Sequence, residues 1–78
     1  MQEYDYSKLI GAIAEKYRTQ AVFAKKIGLS ERSVSLKVRG LKAWKQAEIS
    51  KACEILEISN DDIPKYFFCK KESKSQVN

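Results

Sequence analysis

Thr19-Gln-Ala-Val-Phe-Ala-Lys-Lys-Ile-Gly-Leu-Ser-Glu-Arg-Ser-Val-Ser-Leu-Lys-Val-Arg-Gly40 reads as two short helices joined by a tight turn. The first opens at Thr19, whose hydroxyl can accept from a first-turn N–H, and carries Phe23, Ala24 and Ile27 on one face. Gly28 suits the left-handed backbone that ends a helix. Ser30 is a second cap, and the next helix runs from about Glu31 to Arg39 with Val34 and Val38 as an i, i+4 apolar pair, until Gly40 stops it. Helices joined by so few residues must cross steeply. That crossing needs a small residue on the first helix, Ala24, a turn residue tolerant of positive φ, Gly28, and a branched apolar side chain facing the small one, Val34. The spacing predicts a helix-turn-helix over about residues 19–40.

Outward from this centre the periodicity stays helical. Leu9, Ile10, Ile13 and Tyr17 form an apolar face before it, with Asp5 or Ser7 as the cap. After it comes a basic loop over 41–45 carrying Trp44, then a helix from about Gln46 to Leu56 with Ile49, Ala52, Cys53 and Leu56 on one stripe. Ile58 packs beneath its exit. Ser59 or Asn60 caps a fifth helix, with Asp61 and Asp62 in the first turn, where the helix dipole favours acids, and Pro64 early enough to be tolerated. Tyr66 to Cys69 is the one stretch that could form a short strand. The fold class predicted is all-α, a compact five-helix domain over residues 1–69 with a central helix-turn-helix. Residues 70–78 are expected to be a flexible polar tail. The expected core is Leu9, Ile10, Ile13, Phe23, Ile27, Val34, Val38, Ile49 and Leu56.

Composition narrows the function. Seventy-eight residues at 9.0 kDa hold one small core and no large substrate cavity. No histidine is present, which removes the commonest general base and half of most zinc sites. With no glycine-rich phosphate loop and its acids scattered or at helix starts, the chain is expected not to be an enzyme and to take no small-molecule substrate. Cys53 and Cys69, sixteen apart, fit neither CxxC nor metal spacing, so both are expected as reduced thiols with no metal and no cofactor. No apolar run approaches the ~20 residues of a membrane span, and the N-terminus lacks a leader, so a cytoplasmic protein is expected. The net charge is +5, and its placement says more than its size. Nine basic residues and one acid, Glu31, lie between Lys16 and Lys45, whereas the remainder holds six basic residues and nine acids. Positive charge gathered in the middle third points to an anionic partner.

Gln20 to Gly40 resembles the Cro/repressor type of helix-turn-helix of lambda-like phage regulators, including the Thr-Gln opening. Asp5-Tyr6-Ser7-Lys8-Leu9, Leu29-Ser30-Glu31 through Ser35-Leu36-Lys37, Trp44-Lys45-Gln46-Ala47-Glu48-Ile49 and Ile63-Pro64-Lys65-Tyr66-Phe67-Phe68 resemble a family of small Cro-type repressors of temperate phages and prophages, over nearly all of residues 4 to 69. The resemblance implies sequence-specific binding of a double-stranded DNA operator in a lytic–lysogenic switch, with base-reading positions at Glu31, Arg32 and Leu36.

Helix geometry points the same way. With Val34 and Val38 inward, Glu31, Arg32, Ser35 and Leu36 face out and Ser33 sits at the margin. Arg32 suits a bidentate contact to guanine, Leu36 a thymine methyl, and Ser33 and Ser35 a base or a phosphate. Glu31 either accepts from cytosine or simply stabilises the helix dipole. Phosphate contacts are expected from Gln20, Arg39, Lys42 and Lys45, and from Lys37 if its stem packs on the core while its head reaches outward. Trp44 either lies against the DNA backbone or is buried and pins its loop. One helix-turn-helix offers few base contacts, so a homodimer is expected on DNA, with recognition helices about 34 Å apart. Tyr66, Phe67 and Phe68 either form that dimer interface or close the core. The alternative to a DNA-binding repressor is a modulator that docks onto another phage repressor, instead of or in addition to DNA.

Overall fold

The computed structural model of the chain describes residues 4–70. The central pair forms as α2 (Gln20–Ile27) and α3 (Glu31–Val38). The Thr19 hydroxyl accepts from the Val22 N–H at 3.2 Å, and the Ser30 hydroxyl from the Ser33 N–H at 3.1 Å, so each helix start has one orphan donor satisfied. Gly28 adopts φ 83° and returns its N–H to Ala24, turning the chain with no Cβ to strain.

Around this pair stand α1 (Ser7–Tyr17), α4 (Gln46–Leu56), a 3₁₀ turn over Asn60–Asp62 and α5 (Ile63–Phe67). Five helices and no extended strand make up the described residues, the all-α class expected. Asp5 supports the start of α1, its Oδ1 accepting from the Ser7 N–H at 2.8 Å and the Ser7 hydroxyl at 2.6 Å. The stretch 66–69 is not a strand. Its first two residues end α5, and the only ladder contact there is a single antiparallel bridge between Tyr4 and Lys70, beside a 2.7 Å bond from the Asp5 N–H to the Cys69 carbonyl. Of the expected tail, Lys70 is thus tied to the N-terminal segment, and 71–78 lie outside the described residues.

The core gathers Leu9 and Ile13 of α1, Phe23, Ala24 and Ile27 of α2, Val34 and Val38 of α3, Ala52 and Cys53 of α4, and Phe67 of α5. Ala24 and Val34 are both buried where the helix-turn-helix requires them. Ile10 is the exception, 38% exposed, because Leu9 and Ile13 already place the buried stripe and Ile10 falls one residue, about 100°, to its side. Ile49 and Leu56 are half-buried and pack against the core rather than within it. The Tyr17 hydroxyl donates to the Ile55 carbonyl at 3.2 Å and fastens the end of α1 to α4.

Candidate functional site

The capped start of α3 leaves Glu31 and Arg32 exposed in its first turn. Behind them Ser33, Ser35 and Leu36 are half-buried. Each serine meets a cation from the C-terminal side. Lys42 Nζ donates to Ser33 Oγ at 3.2 Å, and Arg39 Nη1 approaches Ser35 Oγ at 3.4 Å. Lys45, at the cap position of α4, is exposed. Arg32, Arg39, Lys42 and Lys45 therefore all reach solvent on or just beyond α3.

Gln20 and Glu31 share a shallow hollow of about 320 Å³ with Ile10, Ala14 and Arg18. Arg18 is absent from the expected site, yet it ends α1 at φ 71° and brings a cation beside the one acid of the basic segment. Its only sequence signal is membership of that segment. A side chain at positive φ outside glycine is uncommon and cannot be read from composition.

Lys37 does not belong among the phosphate contacts. It is 1% exposed, and its ammonium, not only its stem, is inside. Nζ donates to Glu48 Oε1 at 2.7 Å and to the Ala43 carbonyl at 2.9 Å, and it stands 5.8 Å from the centre of the Trp44 ring. Glu48 Oε1 also accepts from the Lys45 N–H at 2.9 Å, so one carboxylate ties α3, the 41–45 loop and the first turn of α4 together. Burial raises the Glu48 pKa, but the hydrogen bonds from Lys37 and from the Lys45 backbone, with both positive charges, outweigh it and hold the carboxyl below the usual glutamate value. A lysine on the inward face is tolerable here because both its charge and its donors are met.

Phe67 is likewise removed from a dimer surface. It is 1% exposed and packs edge-on against Trp44, ring centres 5.2 Å apart. An aromatic that closes the monomer cannot also face a second copy. Tyr66 is half-buried with Lys8 Nζ over its ring, and Phe68, 48% exposed, packs edge-on against Tyr4. Trp44 pins its loop from inside, its Nε1 buried without a hydrogen-bond partner.

Cys53 is buried, which pushes its thiol pKa up and leaves it a small apolar side chain, while Cys69 is exposed. Among the described residues no His, Cys, Asp or Glu group could hold a metal ion, and no helix is long and apolar enough to cross a membrane.

The fold and its exposed basic edge define a small helix-turn-helix protein. The family model described as "Protein of unknown function (DUF739)" matches residues 2–70, and the chain belongs to that family. Among solved structures it is similar to the modulator of repression (MOR) of the temperate bacteriophage TP901-1 from Lactococcus lactis. The two are 56% identical with a TM-score of 0.74, over 85% of this chain and 89% of that one. No curated protein matches the chain. The link to temperate-phage regulators thus stands, but the Cro-type family expected from the motifs is corrected. The family is DUF739, and the solved structure described above is that of a modulator of repression.

Proposed function

We propose that this protein modulates repression in a temperate phage or prophage by binding a repressor protein, in the cytoplasm of the bacterial host, with a non-catalytic role of association alone. The observation that carries this reading is 56% identity across most of both chains to a phage modulator of repression. The face of α3 supports it. Its first turn exposes one cation, Arg32, beside an acid, Glu31, and the Ser33 and Ser35 hydroxyls already accept from Lys42 and Arg39. One cation capable of bidentate base contact is a thin reading surface for an autonomous repressor.

A second reading, a Cro-like repressor acting on operator DNA, is favoured by the helix-turn-helix itself and by the outward Arg32, Arg39, Lys42 and Lys45. A gel-shift titration on the promoter DNA of the same prophage, with and without its repressor, separates the two. On the modulator reading the protein alone binds weakly and with strong salt dependence, and it alters the repressor's shift at near-stoichiometric ratio. Selective binding by the protein alone at about 10⁻⁸ M in physiological salt, with the repressor's shift unchanged, replaces it with the Cro-like reading.

A further inference from the structure

Among the described residues the two most exposed large apolar side chains are Leu41 and Phe68, at 61% and 48%. They are twenty-seven residues apart in sequence yet line the same groove, about 350 Å³ in volume, together with Tyr4, Trp44 and Phe67 and with Lys42 on its wall. Leu41 follows Gly40, whose φ of 77° turns the chain out of α3, and its N–H returns to the Leu36 carbonyl at 2.8 Å. Backbone bonding therefore holds the loop, and with it an apolar side chain in water. Such a wall costs stability unless something covers it.

We infer that this groove is where the repressor docks, through a segment with apolar side chains at its centre and acidic ones at its flank. The inference rests on the modulator reading and names the surface that carries it out. Three observations choose this occupant. First, the one charged side chain lining the groove is the cation Lys42, and the Glu48 carboxylate at the start of the following helix is already bound by Lys37 and by the Lys45 N–H. Second, a copy of this chain seated groove to groove about a two-fold axis would set Lys42 against its own counterpart. Third, the eight residues after Lys70 carry Val77 as their single apolar side chain, too little to fill an aromatic groove. Duplex DNA would meet Lys42 and leave the apolar floor unmet.

The groove also borders the recognition helix, because Lys42 spans from its wall to Ser33 Oγ. A partner acid on Lys42 draws that cation away from the edge of α3.

The test uses the full chain and the purified repressor of the same prophage, with affinities from calorimetric titration. Leu41→Gln and Phe68→Gln are both uncharged changes and each should weaken repressor binding about tenfold or more, the cost of losing an interface anchor. Lys42→Glu should weaken it as well. Val22→Gln, at an exposed apolar side chain outside the groove, should bind as the parent does. Thermal melts confirm that each variant is folded, and amide shift changes on the parent should centre on 40–44 and Phe68.

If the parent binds the repressor while Leu41→Gln and Phe68→Gln bind equally well, the groove is wrong and the modulator reading survives. Shift changes centred on Gln20, Glu31 and Arg32 overturn the groove in the same way. Unchanged affinity of Lys42→Glu overturns the acid-flanked occupant. Loss of duplex binding in the two uncharged variants, with repressor binding intact, assigns the groove to DNA. If the parent itself ignores the repressor, both readings fall together.

Discussion

Two lysine–glutamate pairs in this molecule have nearly the same length and opposite settings. Lys37 and Glu48 meet at 2.7 Å inside the core's edge, and Lys16 and Glu57 at 3.0 Å on the surface. Each joins two helices, the consecutive α3 and α4 in the first case and α1 to the end of α4 in the second. Their physical weight differs because water screens the second and not the first. The exposed pair gains little over two hydrated ions and loses side-chain freedom, a balance near zero to 1 kcal/mol. The buried pair has exchanged its hydration for Ala43, the Lys45 N–H and one another, so removing either member strands the other. A cation in the basic segment is therefore not automatically a cation available to a partner. Lys37 stabilises the fold, whereas Arg32 and Lys42 remain at the surface.

The comparison breaks first at Glu48. Glu48→Gln keeps a carbonyl oxygen for the Lys45 N–H but leaves the Lys37 ammonium without its counter-charge. Chemical denaturation should show a loss of about 3 kcal/mol, and a loss under about 1 kcal/mol would mean that Lys37 escapes to water. Lys37→Met combined with Glu48→Gln should recover most of the loss, since no unpaired charge is then left inside and the glutamine amide can still accept from the Lys45 N–H.

The same pair sets a pH dependence. The Glu48 carboxyl titrates below its ordinary value in the folded chain, so its contribution is complete above about pH 4.3, the ordinary glutamate pKa. It is lost as pH falls through the depressed folded value. Stability measured from pH 6 downward should therefore drop in the parent more steeply than in Glu48→Gln.

The exposed pair makes the smaller test. Glu57 ends α4 at φ 59°, a left-handed conformation that costs a non-glycine residue about 1 kcal/mol. Glu57→Gly relieves that strain and gives up only a screened contact, so the melting temperature should rise slightly. A fall would show that the Lys16–Glu57 pair is worth more than its exposure indicates. Smallest of all is the contrast between cations in DNA binding. Lys42→Ala should lower the salt slope of duplex binding by about one, while Lys37→Met paired with Glu48→Gln should leave it unchanged.

Much of the fold was legible because the relevant interactions are local. The Thr19 and Ser30 caps, the Gly28 turn and the Ala24–Val34 crossing each depend on residues within ten positions, and all appear as read. The candidate site was legible only on its outer rim. Arg32 is exposed because the apolar period of α3 puts it opposite Val34 and Val38, and Glu31 because it is the first residue of the helix. Val34, Lys37 and Val38 share that inner face at i, i+3, i+4 spacing, so the placement of the Lys37 stem was readable, whereas the destination of its charge was not. That destination is a carboxylate eleven residues on, brought near by a loop with no periodicity. Phe67 and Phe68 show the same limit. Adjacent aromatics carry one sequence signal, and only the close of α5 over Trp44 sends one inward and leaves the other at the groove.

What the chain order alone determined is the set of helices, their caps, the steep central turn and the basic middle third, all consequences of neighbours a few bonds apart. Tertiary structure alone decided which lysine is spent inside, which aromatic closes the core, and that Leu41 and Phe68 share a groove beside α3. Those outcomes turn on desolvation and packing between distant segments, and both depend on a three-dimensional proximity that local spacing does not encode.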